Sequence, residues 1–177
     1  REDLRRRLAL KNYIGLACTV HDPAIAIVGS KGQVLFAEAA ERYLQHKRAF
    51  YAPPDDLVRI SKLLEEYCEP GAELVLAHSW LLRKWKGVGF RALYNLTEKK
   101  ISPLLRPTML GQMNSFDLVG LNLAYRQHEA DPKRPLPEKR YYDHHLTHAS
   151  AAAYASPFTE AVCAIIDGHG EKTPESY

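Results

Sequence analysis

The segment YIGLACTVHDPAIAIVGSKGQVLFAEAAE, residues 13–41, contains three apolar runs separated by short turns. The runs span 13–19, 24–30 and 33–41. Short apolar runs bounded by turn residues are typical of buried strands, and a glycine-containing connection such as Ser30-Lys31-Gly32 is typical of a hairpin. The segment therefore predicts a meander of three strands at the start of the fold.

Further helices and strands are predicted downstream of the meander. A helix begins at Pro53-Pro54-Asp55, ends near Glu69 and has one apolar face, formed by Leu57, Ile60, Leu63 and Leu64. A second helical pattern covers 115–128, with predicted core residues Leu118, Leu121 and Tyr125. The remaining predictions are strands at 73–79 and 160–167, a polar, proline-rich loop at 129–140 and an alanine-rich helix between that loop and the last strand.

Composition limits the classes of protein. The chain has 177 residues, enough for one domain with a sizeable core, and a net charge of +3 does not indicate nucleic acid or a membrane as partner. No apolar run approaches the roughly 18 residues of a membrane-spanning helix, and the start REDLRRRLAL lacks the apolar core of a secretory leader. Three separated cysteines, Cys18, Cys68 and Cys163, predict buried reduced thiols and a cytoplasmic location.

One segment is strongly basic: residues 83–106 hold seven Lys/Arg and one acidic residue. Such a run is typical of a solvated face, and a site for an anionic ligand is the alternative.

The end of the chain predicts a longer polypeptide. The predicted strand 160–167 ends in a glycine turn, and no returning strand follows to pair with it. Residue 1 is also not methionine. We therefore expect these residues to be the N-terminal piece of a larger protein.

Histidines are concentrated in YYDHHLTHASAAAYASPF, residues 141–158. His144 and His148 are four residues apart, so on a helix they share a face and can reach one metal ion. Asp167, at the end of a predicted strand, is the best candidate for a third ligand, and two histidines with one carboxylate suit a divalent metal. A histidine pair at this spacing is also common on surfaces and at helix caps, and that alternative stays open. The alanines are expected to let the helix approach the sheet closely.

Two shorter motifs contain groups that bind phosphate or transfer protons. In DGHGE, Gly168 and Gly170 allow backbone N–H groups to approach a phosphate, although a glycine turn is more often only a turn. In TVHDPA, His21 and Asp22 form either an acid–base couple or, with Pro23, a turn stabilised by the aspartate.

Four segments together resemble one family. They are GLACTVHDPAIAIV, AEAAERYLQHK, DHHLTHASAAAYASPF and AVCAIIDGHGE, and in this order they resemble the N-terminal domain of the NodU/CmcH-type O-carbamoyltransferases. The resemblance runs from about residue 13 to 171, after a lead of residues 1–12, and is loose over 45–140.

The resemblance implies an α/β protein with the actin-like ATPase (sugar kinase/Hsp70) fold, in which a mixed sheet has flanking helices. Residues 13–177 would hold the first subdomain and the opening strand of the second. A C-terminal YrdC-like domain would follow, and without it this piece would be inactive. The implied reaction uses carbamoyl phosphate and ATP to form a carbamoyl-adenylate, whose carbamoyl group then moves to a hydroxyl of a small molecule in natural-product biosynthesis.

Site residues follow from matching the family's motifs. The implied ligands of a divalent metal, typically iron, are His144, His148 and Asp167, with a further aspartate outside these 177 residues. The implied base is His21 with Asp22. Substrate contacts are implied for Glu41, Arg42 and Lys47, and Ala40 and Gln45 depart from the family's pattern in this segment. Nucleotide or phosphate contacts are implied for Gly168, His169, Gly170 and Glu171, and His169 also departs from the pattern.

Other function classes are separated by specific features. A threonylcarbamoyl transferase acting on tRNA has the same histidine spacing but lacks a fused YrdC-like domain in this order. A sugar kinase of the same fold would have a phosphate-binding glycine in the first hairpin, which TVHDPA lacks. A non-catalytic metal-binding relative would bind the ion and form no adenylate.

Overall fold

Five strands form one mixed sheet in this computed structural model, which describes residues 10–18, 21–50, 52–79, 118–129, 131 and 133–167. The strands are β1 (Lys11–Ala17), β2 (Ala24–Val28), β3 (Val34–Ala39), β4 (Glu73–His78) and β5 (Glu138–Tyr141). The helices are α1 (Ala40–Leu44), α2 (Leu57–Tyr67), α3 (Val119–His128) and α4 (His144–Ala155), with a short 3-10 helix at Lys47–Ala49. The chain is therefore an α/β protein.

The sheet has the order β3-β2-β1-β4-β5. Strands β1, β2 and β3 pair antiparallel as consecutive neighbours, which confirms the predicted meander, although β1 begins at Lys11, two residues earlier than expected. Strand β4 is parallel to β1, and β5 is parallel to β4. The carboxyl ends of β1, β4 and β5 consequently lie together at the same end of the sheet.

The core lies between the sheet and the helices α2 and α3. Ile14, Leu16 and Ile27 point inward from the meander in the alternation expected of strands. From the helices, the buried apolar residues are Ile60, Leu63, Leu64, Leu121, Ala124 and Tyr125. Leu57 is partly buried and packs against this core, so both predicted apolar faces are confirmed. Burying a large aliphatic side chain contributes roughly 1.5–3 kcal/mol.

Asp55 connects the start of α2 to the start of α3. Helix α2 begins after Asp56, whose side chain accepts the N–H of Arg59 at 3.0 Å. The neighbouring Asp55 is buried, and its carboxylate accepts the N–H of Leu121 at 3.0 Å. Burial raises the pKa of Asp55, while the backbone N–H groups of Leu121 and Gly120 oppose the rise. One carboxylate thus satisfies amide groups that a helix start leaves without intrahelical partners.

Replacing Gly120 with alanine is expected to destabilise the fold by about 3 kcal/mol. A methyl group there would overlap the backbone carbonyl oxygen of Asp55, which a rotamer change cannot relieve. Urea unfolding of both proteins measures the difference. Gly71→Ala is the control: Gly71 has a positive φ of 77° but no atom within 4 Å, so only backbone strain of about 1 kcal/mol is expected. Equal losses for the two variants would contradict the overlap.

Two secondary-structure predictions about the second half are wrong. Residues 161–167 form no strand, because an apolar run becomes a strand only when a neighbour supplies hydrogen bonds, and none of the described residues pairs with it. Val162 and Ile166 are accordingly 97% and 92% exposed. The loop predicted at 129–140 contains the start of β5, which pairs with β4.

The alanine-rich helix α4 also differs from expectation. Ala151, Ala152, Ala153 and Ala155 are exposed rather than packed against the sheet. Alanine has little side chain to bury, so these residues provide a weak hydrophobic drive for close approach. The buried residue of this helix is His145, 3% exposed.

The three cysteines are thiols that form no disulfide. Cys18 is buried, as predicted, whereas Cys68 and Cys163 are only partly buried. Burial raises the pKa of Cys18, and it raises the pKa of Cys68 to about 11, so both are protonated and unreactive near neutral pH.

Candidate functional site

A cleft of about 1290 Å³ extends from the carboxyl ends of the parallel strands across the strands β2 and β3. Its lining comes from β1, β2 and β3, the end of β4, the turn before β2, the residue after β5, the helix α4 and Asp167. Ligands of α/β proteins bind at the carboxyl ends of parallel strands, because the following connections leave a crevice there. The predicted site residues His21, Asp22, His144, His148 and Asp167 line this cleft.

The first group of site residues is positioned by the start of α4. The side chain of Asp143 accepts the N–H of Leu146 at 3.1 Å and so begins the helix at His144. His144 and His148 then occupy positions i and i+4 and share a face, as predicted. Asp167 meets them from the extended segment after the helix. The adjacent His145 points elsewhere and is buried.

The three ligand atoms form a compact triangle, called here the His–His–Asp cluster (His144, His148, Asp167). Nε2 of His144 lies 2.9 Å from Oδ2 of Asp167 and 3.2 Å from Nε2 of His148. The third side, from Nε2 of His148 to Oδ2 of Asp167, is 3.4 Å. Two donors that each bind an ion at 2.0–2.2 Å with angles of 90–109° are about 2.8–3.6 Å apart. All three distances therefore fit a divalent metal, as does the set of two imidazoles and one carboxylate.

Exposure differs among the members of the His–His–Asp cluster. The side chain of His144 is 12% exposed, whereas those of His148 and Asp167 are 51% and 36% exposed. His144 is also next to Thr147, whose hydroxyl donates to the His144 carbonyl oxygen at 2.6 Å. A bound ion would be held on one side by the little-exposed His144 and would be open to the cleft on the other, so a substrate could become a further ligand.

The second group is the pair of His21 and Asp22, which also lines the cleft. Nδ1 of His21 lies 2.7 Å from Oδ2 of Asp22. Because an ionised carboxylate can only accept a hydrogen bond, this contact favours the form of the ring that carries hydrogen on Nδ1 and its basic lone pair on Nε2. Asp22 has a positive φ of 54°, and its N–H donates to the carbonyl oxygen of Arg48 at 2.7 Å. The predicted contact between the two side chains is present.

The segment that contains Glu41, Arg42 and Lys47 lies beside this pair but contributes none of these three side chains to the cleft lining among the described residues. Glu41 Oε2 accepts the N–H of Arg48 at 2.9 Å, so this carboxylate is engaged in holding the segment together. Arg42 and Lys47 are exposed. The substrate contacts implied for them stay a prediction.

Several residues at the site were missed in the sequence. His78 and Ser79 follow the last apolar residues of β4 and line the cleft, as do Tyr142 and Thr147. His78 is 1% exposed, and its ring centroid is 5.5 Å from that of Tyr141. The signal was present: HS directly follows the apolar run ELVLA, and polar residues at the carboxyl end of a parallel strand face a ligand crevice.

Two predicted features lie outside the described residues. They are the phosphate-binding residues Gly168, His169, Gly170 and Glu171 and the basic region 83–106. Their roles stay predictions.

No protein-family model, curated protein or solved structure matches this chain. In the part of the chain that the structure describes, no helix combines the length and the hydropathy required to cross a membrane.

Proposed function

We propose that this chain is the acceptor-activating and metal-binding part of an O-carbamoyltransferase. One observation supports the proposal most: the His–His–Asp cluster and the His21–Asp22 pair, more than 120 residues apart in sequence, line the same cleft. A base and a divalent-metal site facing one cavity suit the transfer of an acyl-type group to a hydroxyl. The sequence resemblance to the NodU/CmcH-type family supports the same chemistry.

The proposed reaction transfers a carbamoyl group from a carbamoyl-adenylate, made from ATP and carbamoyl phosphate, to a hydroxyl of a small molecule. The hydroxyl proton moves to Nε2 of His21 as the acceptor oxygen bonds to the carbamoyl carbon. The bond from that carbon to the phosphate oxygen breaks, and AMP leaves with the electron pair. Asp22 stabilises the imidazolium that forms, through the hydrogen bond to Nδ1.

His144, His148 and Asp167 would hold the divalent cation, for which we propose iron. The ion would supply Lewis acidity near the carbonyl and phosphate groups. His144, the least exposed of the three, would bind the ion from the protein side of the cleft. His148 and Asp167 remain accessible from the cleft, so these side chains are on the substrate's side.

The architecture and the cleft size are compatible with this proposal. The sheet order, three antiparallel strands followed by two parallel ones, is compatible with the first subdomain of an actin-like ATPase fold. Ligand pockets typically enclose about 300–1,000 Å³, so a cleft of about 1290 Å³ has room for an adenylate and a small acceptor. Dependence on ATP and carbamoyl phosphate, together with cysteines that form no disulfide, favours the cytoplasm as its location.

A transfer assay tests the proposal. The longest natural polypeptide containing these residues is incubated with Fe²⁺ under anaerobic conditions, ATP, carbamoyl phosphate and a panel of small hydroxyl compounds. A parallel reaction supplies threonylcarbamoyl-adenylate and tRNA instead. We expect the mass of one carbamoyl group to be added to a subset of the panel and AMP to be released in equal amount. Modification of tRNA instead would favour a threonylcarbamoyl transferase, and metal binding with no transfer to any acceptor would favour a non-catalytic metal-binding protein. Either result would replace the proposed function.

A further inference from the structure

Arg48 is fixed beside the His21–Asp22 pair by its own backbone. Its carbonyl oxygen accepts the N–H of Asp22 at 2.7 Å, and its N–H donates to Glu41 Oε2 at 2.9 Å. Its φ of 62° lies in the left-handed region, which residues other than glycine rarely adopt. Because both backbone groups are bonded to separate segments, the origin of the Arg48 side chain is fixed relative to Asp22.

The side chain of Arg48 lies near the carboxylate of Asp22 and over the ring of Phe50, which itself packs against His21. Its Nε lies 3.7 Å from Oδ2 of Asp22, the same oxygen that lies 2.7 Å from Nδ1 of His21. Its guanidinium carbon is 5.6 Å from the centroid of the Phe50 ring, and that ring packs edge-on against His21 with a centroid distance of 6.2 Å. A planar guanidinium can contact a carboxylate and an aromatic face at once, which an ammonium group does less well.

We propose that Arg48 is a positioning residue that controls the tautomer of His21. The guanidinium orients the carboxylate of Asp22 toward Nδ1, so that the ring carries its proton on Nδ1 and its basic lone pair on Nε2. The tautomer control stands on these contacts alone. Its consequence, a correctly placed base for the acceptor hydroxyl, rests on the proposed function.

A residue that orients the carboxylate of Asp22 is needed because both side chains of the pair are exposed to water. The side chains of His21 and Asp22 are 49% and 46% exposed, so water competes for the carboxylate and for both ring nitrogens. A second charged partner at the same oxygen restricts the rotation of the carboxylate. An exposed ion pair changes an equilibrium by about twofold to fivefold, and this is the size of effect to expect.

The test is ¹⁵N NMR of the His21 ring in the 177-residue chain labelled with ¹⁵N-histidine, with the His21 signals identified by their loss in His21→Asn. The ¹⁵N shifts distinguish the two tautomers. We expect Nδ1–H to dominate in the wild type and the ratio of Nδ1–H to Nε2–H to fall about twofold to fivefold in Arg48→Gln. Arg48→Lys should lie between them. Arg140→Gln, which removes an exposed arginine paired with Glu138 on β5, should leave the ratio unchanged.

An unchanged ratio in a folded Arg48→Gln protein, as judged by its amide spectrum, would overturn the inference. If that variant does not fold, Arg48→Lys provides the decision, because it keeps the positive charge and the backbone contacts of Arg48 and removes only the planar guanidinium. A smaller fall of the ratio in Arg48→Lys supports the inference, and no fall overturns it. Failure of the transfer assay in the wild type would remove the proposed function without changing the tautomer ratio.

Discussion

Carbamoyl transfer by the full polypeptide is expected to fall by about 10²–10⁴-fold when His21 is replaced with alanine. The proposed transition state needs a group that accepts the hydroxyl proton, and alanine leaves only water for that role. The side chain of His21 is about half exposed, so its removal leaves the core intact. The measurement is kcat for transfer to any acceptor found in the panel, with saturating ATP and carbamoyl phosphate.

The control for this variant is metal binding. Because His21 is not in the His–His–Asp cluster, His21→Ala should keep the metal content of the wild type. Asp22→Asn should lower kcat less than His21→Ala, since the ring remains but loses its carboxylate partner. A kcat for His21→Ala within a factor of about three of the wild-type value would remove His21 as the base.

The second large effect is the loss of metal binding when a member of the His–His–Asp cluster is changed. The wild-type chain should bind about one Fe²⁺ or Zn²⁺, measured by calorimetry and by metal analysis after desalting. His148→Ala should weaken binding by more than about 100-fold. Loss of an outer-shell partner alone costs roughly 10–100-fold, and this change removes a direct donor from a triangle whose sides are 2.9, 3.2 and 3.4 Å.

The matched control is His128→Ala. His128 is an exposed histidine at the end of α3 and is not among the residues that line the cleft. The control protein should bind metal as the wild type does. Asp167→Asn should also lose most of its affinity, because it keeps the shape of the side chain and removes the negative charge that favours a divalent cation. Unchanged affinity in both cluster variants would show that the three side chains form only a hydrogen-bonded group.

Local patterns in the sequence predicted most of the secondary structure. Alternating burial in β1 and β2 and the apolar faces of α2 and α3 follow from side-chain periodicity, which is a property of each segment alone. The spacing of His144 and His148 belongs to the same class, because four residues along a helix always return to one face. The contact of His21 with Asp22 was also open to prediction, since the two residues are adjacent.

Where side-chain periodicity predicted the wrong secondary structure, the reason was that a neighbouring strand was absent or was present unexpectedly. Residues 160–167 have the composition of a strand but pair with none of the described strands. Residues 138–141 have the composition of a loop. They nevertheless form β5, because the backbone of β4 can pair in parallel on the side that β1 does not occupy. Arg48 was missed for a related reason: its contacts with Asp22, Glu41 and Phe50 depend on a left-handed backbone that no sequence pattern indicated.

The amino-acid sequence by itself determined the meander, the two core helices and the helical spacing of two histidines, because each depends on interactions within a short segment. Only the tertiary structure decided that Asp167 lies 2.9 Å from His144 and that the turn at His21 opens into the same cleft. These are contacts between segments distant in the chain. They depend on the order in which strands pair, and that order is set by hydrogen bonds and burial across the whole sheet rather than by any local pattern.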